Sequence, residues 1–228
     1  MVKFFVISDI HGFYDEMLEA LDEAGFDANN GDHWLISCGD HFDRGDYPGK
    51  VMTYLENLPQ KVLIRGNHEN LLLDLCKRTY PLGRDIHNGT WRTVMRMGLS
   101  PYIPDPVEYV SMRVTPFIKQ MQNYFETKNY IFVHGWIPRN KNWRQSSQRA
   151  WDEAMWVNPY EQNFFPDKTV VFGHWHCSAG WAMSEGRSEF GEDARFDPYF
   201  GEGYISIDAC TAISGKCNVL VLEDEFLE

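Results

Sequence analysis

The 228-residue chain lacks a cysteine framework. Its five cysteines, Cys38, Cys76, Cys177, Cys210 and Cys217, are odd in number, scattered and without a C-x-x-C pair. That excludes a disulfide-stapled fold and a zinc knuckle, and leaves buried thiols. No apolar run approaches the about 20 residues that a membrane span needs, and Met1-Val2-Lys3-Phe4 leads into a strand without the polar-apolar-small layout of a signal peptide. The expected compartment is the cytoplasm, with no membrane partner. Positive charge is scarce: 21 Lys and Arg against 33 Asp and Glu give a net charge of −12. Nucleic-acid backbones are bound through clustered Lys and Arg, so a generic nucleic-acid partner is excluded. A phosphate substrate is not, because metal ions and a few arginines can make a locally positive pocket. Internal repeats and low-complexity tracts are also missing. A chain of this length buries one sizeable core, and a single catalytic domain over 1–228 is expected, its oligomeric state open.

What is present is a series of polar segments, each following an apolar, strand-like run. The central one is Gly39-Asp40-His41-Phe42-Asp43-Arg44-Gly45, after His33-Trp34-Leu35-Ile36-Ser37-Cys38. The others are Asp9-Ile10-His11-Gly12, Arg65-Gly66-Asn67-His68-Glu69, His134-Gly135 and Gly173-His174. Carboxylates, imidazoles and guanidinium groups are thus delivered at strand ends, where α/β sheets keep their ligand sites.

Along the chain, strands are expected at 3–8, 33–38, 61–64, 130–133, 169–172, 204–207 and 218–222, with helices over 14–24, 48–58 and 69–77. Strand-helix alternation at this spacing implies parallel pairing through right-handed crossovers. Between Thr79 and Tyr109 the prolines and glycines break any long element, leaving a short helix at 90–97; a helix is expected over 111–128. This middle part reads as a helical excursion forming a cap or wall. Residues 138–167 read as a second, aromatic excursion and 180–203 as an exposed loop.

Asp9, His11, Asp40, Asn67, His134 and His174 are carboxylate, imidazole and amide donors without a thiolate, a set suited to Mn²⁺, Fe²⁺ or Zn²⁺. Six donors exceed one tetrahedral site and match a pair of ions sharing one carboxylate. Arg44 and Arg65 are planar forks matched to phosphate oxygens. His68 could protonate a leaving oxygen with Asp43 holding its tautomer, and a metal-activated hydroxide removes the need for a Ser or Cys nucleophile. Taken singly, each segment is a turn: Asp43 an N-cap or Asx-turn, Glu69 a first-turn acid. His33, His87 and His176 read as structural or surface residues, and Trp136, Trp143, Trp151 and Trp156 as core and pocket wall.

Together, and in this order, the five segments resemble the calcineurin-like metallophosphoesterases. The D-R-G and R-G-N-H-E forms are similar to the phosphoprotein phosphatase branch, and Ile207-Asp208 with Gly215-Lys216 looks like that family's closing segment. The resemblance implies an α/β fold, a β-sandwich of two mixed sheets flanked by helices, with a dinuclear centre at its edge. It places Asp9, His11 and Asp40 on the first metal and Asp40, Asn67, His134 and His174 on the second. Arg44 and Arg65 would bind the phosphoryl group, His68 and Asp43 would form the acid pair, and Mn²⁺ would be the usual activator. The chain departs from the pattern at Trp175, Ala209-Cys210 and Met155 to Pro159, so a further phosphate-binding arginine has four candidates: Arg139, Arg144, Arg149 and Arg187. The implied activity is a metal-dependent serine/threonine protein phosphatase. The alternative is a symmetrical dinucleoside polyphosphate (diadenosine tetraphosphate) hydrolase, and a rival of another class is a catalytically silent scaffold.

Overall fold

The computed structural model describes residues 2–163 and 166–227; Met1, Phe164, Phe165 and Glu228, which fall within the expected 1–228 domain, lie outside the described residues. The N-terminal part alternates strand and helix as the apolar pattern requires: β1 (Val2–Ile7), α1 (Tyr14–Glu23), β2 (His33–Ser37), α2 (Pro48–Asn57), β3 (Lys61–Leu63) and α3 (Asn67–Arg78). β1 pairs in parallel with β2 and β2 with β3, and the last strand of the chain, β9 (Leu220–Asp224), returns antiparallel to β1, giving the order β3-β2-β1-β9.

The helical excursion follows as α4 (Gly83–His87), α5 (Thr90–Gly98) and α6 (Pro106–Lys119). Here the expected boundaries move. The helix expected over 111–128 begins five residues earlier, because Asp105 accepts the Val107 and Glu108 backbone N–H groups and Pro106 occupies the first turn. Asp-Pro is a start signal here and not a break. The helix also stops at Lys119, and Tyr124–Glu126 is a strand, β4, antiparallel to β5 (Tyr130–Val133).

The second sheet continues through β6 (Thr169–His176), β7 (Tyr199–Gly201) and β8 (Tyr204–Asp208) in the order β4-β5-β6-β8-β7. β5, β6 and β8 are parallel, with antiparallel strands at both edges. α7 (Gln148–Ala154) lies in the aromatic excursion, and α8 (Cys177–Glu185) with β7 occupies part of the stretch expected as a loop. Its Gly and charge content disguised an element whose support is tertiary: α8 packs on β7, β8 and β6. α9 (Thr211–Ser214) and β9 (Leu220–Asp224) close the chain.

The two mixed sheets face each other, and alternation along each strand explains the layers. Phe4 and Val6 of β1 pack with Ile36, Val62, Phe132, Val171, Ile205 and Ile207 between the sheets. Phe5 and Ile7, one residue out of phase, join α1, α2, α3, α5 and α6 on the outer face. Ile131, Val133, Val170 and Phe172 face outward from the second sheet against Trp136, Trp143 and Trp151. Each fully buried side chain of this size contributes about 1.5–3 kcal/mol by leaving water, and a one-residue slip of β1 would exchange its side chains between the two layers and disrupt the packing of both at once. All five cysteines are free. Among the described residues no helix is long and apolar enough to cross a membrane.

Candidate metal centre

The parallel strands of the two sheets deliver their carboxyl ends to one place. Asp9 follows β1, Asp40 follows β2, Asn67 follows β3, His134 follows β5, and His174 lies in β6 at a break in register between Phe172 and His176. The break corrects the expectation that β6 ends at Phe172: the strand runs on to His176, and an irregularity of this kind re-aims a side chain. Among the described residues eight non-glycine residues have left-handed φ, and six of them are Asp9, His11, Asp40, Asp43, Arg44 and His174. Such backbone costs about 1–3 kcal/mol per residue and persists where the surroundings over-determine it.

Asp40 is the hub. Its Oδ2 is 3.7 Å from His11 Nε2 and 3.8 Å from His68 Nε2, while its Oδ1 is 3.4 Å from His134 Nε2. His11, Asp40 and His68 form one group of donor atoms within 4.8 Å of one another, and Asp40, His134 and His174 form another. Asp9 Oδ1 stands 3.9 Å from His11 Nε2, and Asn67 Oδ1 is 2.7 Å from His134 Nε2. Glycine keeps this space open: a Cβ on Gly66 would overlap the Asp40 carboxylate, and one on Gly173 would overlap Ser8 and the Asp9 carboxylate.

The donor set passes a specific test for divalent ions. His11 Nδ1 lies 2.7 Å from the Phe42 carbonyl and His134 Nδ1 2.8 Å from the Cys38 carbonyl. Each Nδ1–H donates to a carbonyl, which turns Nε2 toward Asp40, the arrangement by which supporting partners orient histidine ligands. Burial pushes the His11 imidazole well below its usual value, with the Arg44 charge acting in the same sense, and burial takes His174 down to about 2. Both are neutral, as ligation requires. At His134 burial also acts downward, but the Asp40 and Asp9 charges outweigh it and raise the imidazole. An oxygen lies at each ring nitrogen, the Cys38 carbonyl at Nδ1 and Asn67 Oδ1 at Nε2, and a cation at Nε2 would take the place of a proton there.

His68 is different in kind. Its Nδ1–H donates to Asp43 Oδ2 at 2.6 Å, and Asp43 is fixed by the Thr90 hydroxyl at 2.7 Å and the Thr93 hydroxyl at 3.0 Å. Burial pulls the imidazole down, but the Asp40 charge and the Asp43 hydrogen bond more than offset it, to about 9. A protonated His68 is a proton donor and not a ligand, although its Nε2 belongs to the first donor group.

A family model for the calcineurin-like phosphoesterases matches residues 2–178. The chain belongs to that family. Among its relatives, the symmetrical bis(5'-nucleosyl)-tetraphosphatase of Coxiella burnetii is 27% identical over 147 residues, 64% of this chain and 46% of that protein. The asymmetrical bis(5'-nucleosyl)-tetraphosphatase PrpE of Bacillus velezensis is 37% identical over 81 residues, 32% of this chain and 32% of that one. The matched stretches thus span less than half the length of these curated relatives. A cold-active protein tyrosine phosphatase of Shewanella has the same fold, with a TM-score of 0.61 at 17% identity over 98% of this chain and 76% of that one. So does a yeast protein serine/threonine phosphatase, with a TM-score of 0.56 at 15% identity over 100% and 81%.

Several residues at the centre were given no role there by their motifs. Glu69 is more than a first-turn acid: its carboxylate accepts backbone N–H groups from Asp40 (3.0 Å), His41 (2.9 Å) and Gly66 (2.7 Å), tying the Asp40 loop to the start of α3. Buried His41 bridges Glu69 and the Ser37 hydroxyl. Asp152, on α7, pairs with Arg65 Nη2 at 2.9 Å, and Arg65 Nε is buried without a hydrogen-bond partner. Asp208 is buried, and burial with the nearby Asp9 charge raises its carboxyl well above the usual range. The two arginines part company: Arg44 is exposed and Arg65 is half-buried. The four arginine candidates have partners of their own: Arg139 with Gln162, Arg144 with Glu126, Arg149 with Glu153 and Arg187 with Glu185. Trp156 is exposed, edge-on to His174 with centroids 5.4 Å apart, and walls the site as expected.

Proposed function

We propose that the chain is one catalytic domain that hydrolyses phosphoesters with a pair of divalent metal ions, Mn²⁺ foremost and Fe or Zn as substitutes. Asp9, His11 and Asp40 would hold one ion, and Asp40, Asn67, His134 and His174 the other. The observation that carries this reading is the Asp40 carboxylate, with one oxygen 3.7 Å from His11 Nε2 and the other 3.4 Å from His134 Nε2. When bound, such a pair activates water and draws off charge from the phosphoryl oxygens.

The rest is the work of the chain's own groups. Arg44 and Arg65 bind the phosphoryl oxygens, with Asp152 aiming Arg65. His68 donates its Nε2 proton to the leaving oxygen, which then departs as an alcohol or as a neutralised phosphate. Asp43, held by Thr90 and Thr93, keeps the imidazole turned with Nδ1–H toward itself. The Asp43 arm of this acid pair is already within hydrogen-bond reach, at 2.6 Å, which leaves Nε2 to face the leaving oxygen.

For the substrate we place dinucleoside polyphosphates ahead of serine/threonine phosphoproteins. The two curated relatives named above are bis(5'-nucleosyl)-tetraphosphatases, which supports placing the dinucleotide first, against the order implied by the motif forms alone. The phosphoprotein reading keeps the support of the D-R-G and R-G-N-H-E forms. The test is steady-state hydrolysis by metal-stripped, Mn²⁺-reconstituted protein of diadenosine tetraphosphate against a phosphothreonine peptide. A larger kcat/KM for the dinucleotide supports the first reading, and a larger one for the peptide restores the second. No turnover of either, with two metals bound, supports the scaffold.

A further inference from the structure

A cavity beside Arg44 has no part in that reading. α4 and α5 are joined through Gly89, which takes φ 87° and lies so close to the Arg44 backbone that a Cβ would overlap it. The contact fixes a groove of about 580 Å³, lined among others by Arg44, Ile86, Trp91, Arg92, Met95 and Arg96. Its volume is in the range of sites that hold small molecules. It is anchored to the centre through Asp43, whose backbone N–H donates to Thr93 on α5 and whose carboxylate holds His68.

The charge on this wall is unlike that of the chain as a whole. Arg92 and Arg96 both donate to one oxygen of Asp46, the latter at 2.7 Å, and all three side chains are about half exposed. Arg113 lines the adjoining cavity with Asp46 and Arg96. In a chain of net charge −12, several arginines therefore gather around a single aspartate beside the site. Exposed pairs of this kind add little to stability, so folding does not account for the gathering. They leave guanidinium donors free to exchange one oxyanion for another, and beside them Ile86 and Trp91 offer an uncharged surface.

We propose that this groove is a second subsite for a small phosphorylated substrate. Arg92 and Arg96 pass from Asp46 to a phosphoryl group beyond the scissile ester, and Trp91 and Met95 pack on the uncharged part attached to it. The subsite sets specificity and takes no part in bond breaking. The inference rests on the phosphoester-hydrolase reading and fixes where such a substrate extends.

The test compares three substrates at a fixed excess of free Mn²⁺: p-nitrophenyl phosphate, diadenosine tetraphosphate and an acidic phosphothreonine peptide. In the R92A/R96A variant, kcat/KM for the dinucleotide falls about 10- to 100-fold, mostly through KM, as expected for losing charge-assisted hydrogen bonds. The fall for p-nitrophenyl phosphate, which ends at its one phosphoryl group, is at least tenfold smaller. In Asp46→Asn, which frees both arginines, the ratio of dinucleotide to p-nitrophenyl phosphate kcat/KM rises; a merely structural role would lower both. Equal losses on all substrates overturn the subsite, and a selective loss on the acidic peptide overturns its small-molecule character. Failure of the unaltered, metal-loaded protein to turn over p-nitrophenyl phosphate sinks the hydrolase reading itself, so the two failures are distinguishable.

Discussion

The strand-end cluster and the α4–α5 groove are neighbours built on opposite principles. The cluster is buried, uses left-handed backbone at six positions and is held by carbonyls and carboxylates from several elements. The groove is half exposed, is mostly helix with left-handed backbone at Arg44 and Gly89, and has Arg92 and Arg96 held by one surface aspartate. Strain and burial are tolerated where geometry must be held within fractions of an ångström, because chemistry depends on it. Substrate selection beyond the reacting group needs only complementary charge and shape, so its residues can sit on short helices that carry no such strain. The difference predicts that lesions in the cluster act on turnover itself and lesions around the groove act on which molecule is turned over.

The largest effect should come from Asp40→Asn, because a single carboxylate faces both donor groups. Activity should fall by more than the about 10–100-fold that follows loss of a ligand's supporting partner, and Mn²⁺ titration by calorimetry should show both sites weakened. Two intact sites would remove Asp40 from the bridging position. His68→Asn should come next, with a fall of about 10²- to 10⁴-fold in kcat while two metals still bind. If turnover survives, another group donates the proton.

The same contrast explains what could be read from the sequence. Asp9, His11, Asp40, Asn67, His134 and His174 each follow an apolar run, and a strand's end is a local property, so the cluster could be assembled residue by residue. The two mixed sheets were legible through the resemblance, and the three parallel strands of the first sheet through strand-helix alternation alone. The groove was not, because the Gly89 contact with Arg44 and the convergence of Arg92 and Arg96 on Asp46 join residues about half a hundred positions apart. Asp152 was invisible for the same reason, lying 87 positions from Arg65. α6 starts ahead of its expected place for a local reason: Pro106 taken alone is a breaker, and Asp105 before it makes it a start. The Asp43–His68 pair was inferred from chemistry, but its two threonine supports came only with the packing of α5.

A middle-sized effect tests whether α7 belongs with the cluster or with the groove. Asp152→Ala removes the 2.9 Å partner of Arg65, whose side chain is 18% exposed against 42% for Asp152. With partial solvent screening, the loss should be about three- to tenfold in kcat/KM for p-nitrophenyl phosphate and similar for larger substrates. A loss confined to one large substrate would move Asp152 to the selecting side.

The smallest effect lies outside both regions and serves as their control. Glu126, on the edge strand β4, accepts two hydrogen bonds from Arg144, at 2.5 and 2.8 Å, and one from Lys168 at 3.1 Å. Burial pushes its carboxyl up, but these partners outweigh it and hold it below the usual glutamate value. A carboxylate with a depressed folded pKa contributes stability above its unfolded pKa, and that contribution is lost as pH falls through the folded value. Urea midpoints of the unaltered protein and Glu126→Gln should therefore differ at pH 7, by about 1 kcal/mol since Arg144 is partly exposed, and converge below about pH 4. A gap that stays constant with pH would show that packing, not charge, makes the difference. The substitution also frees Arg144, one of the four arginines considered for the phosphate, so kcat/KM read at pH 7 decides its place. Turnover unchanged in Glu126→Gln leaves Arg144 to the fold, while a rise would bring that guanidinium back to the substrate.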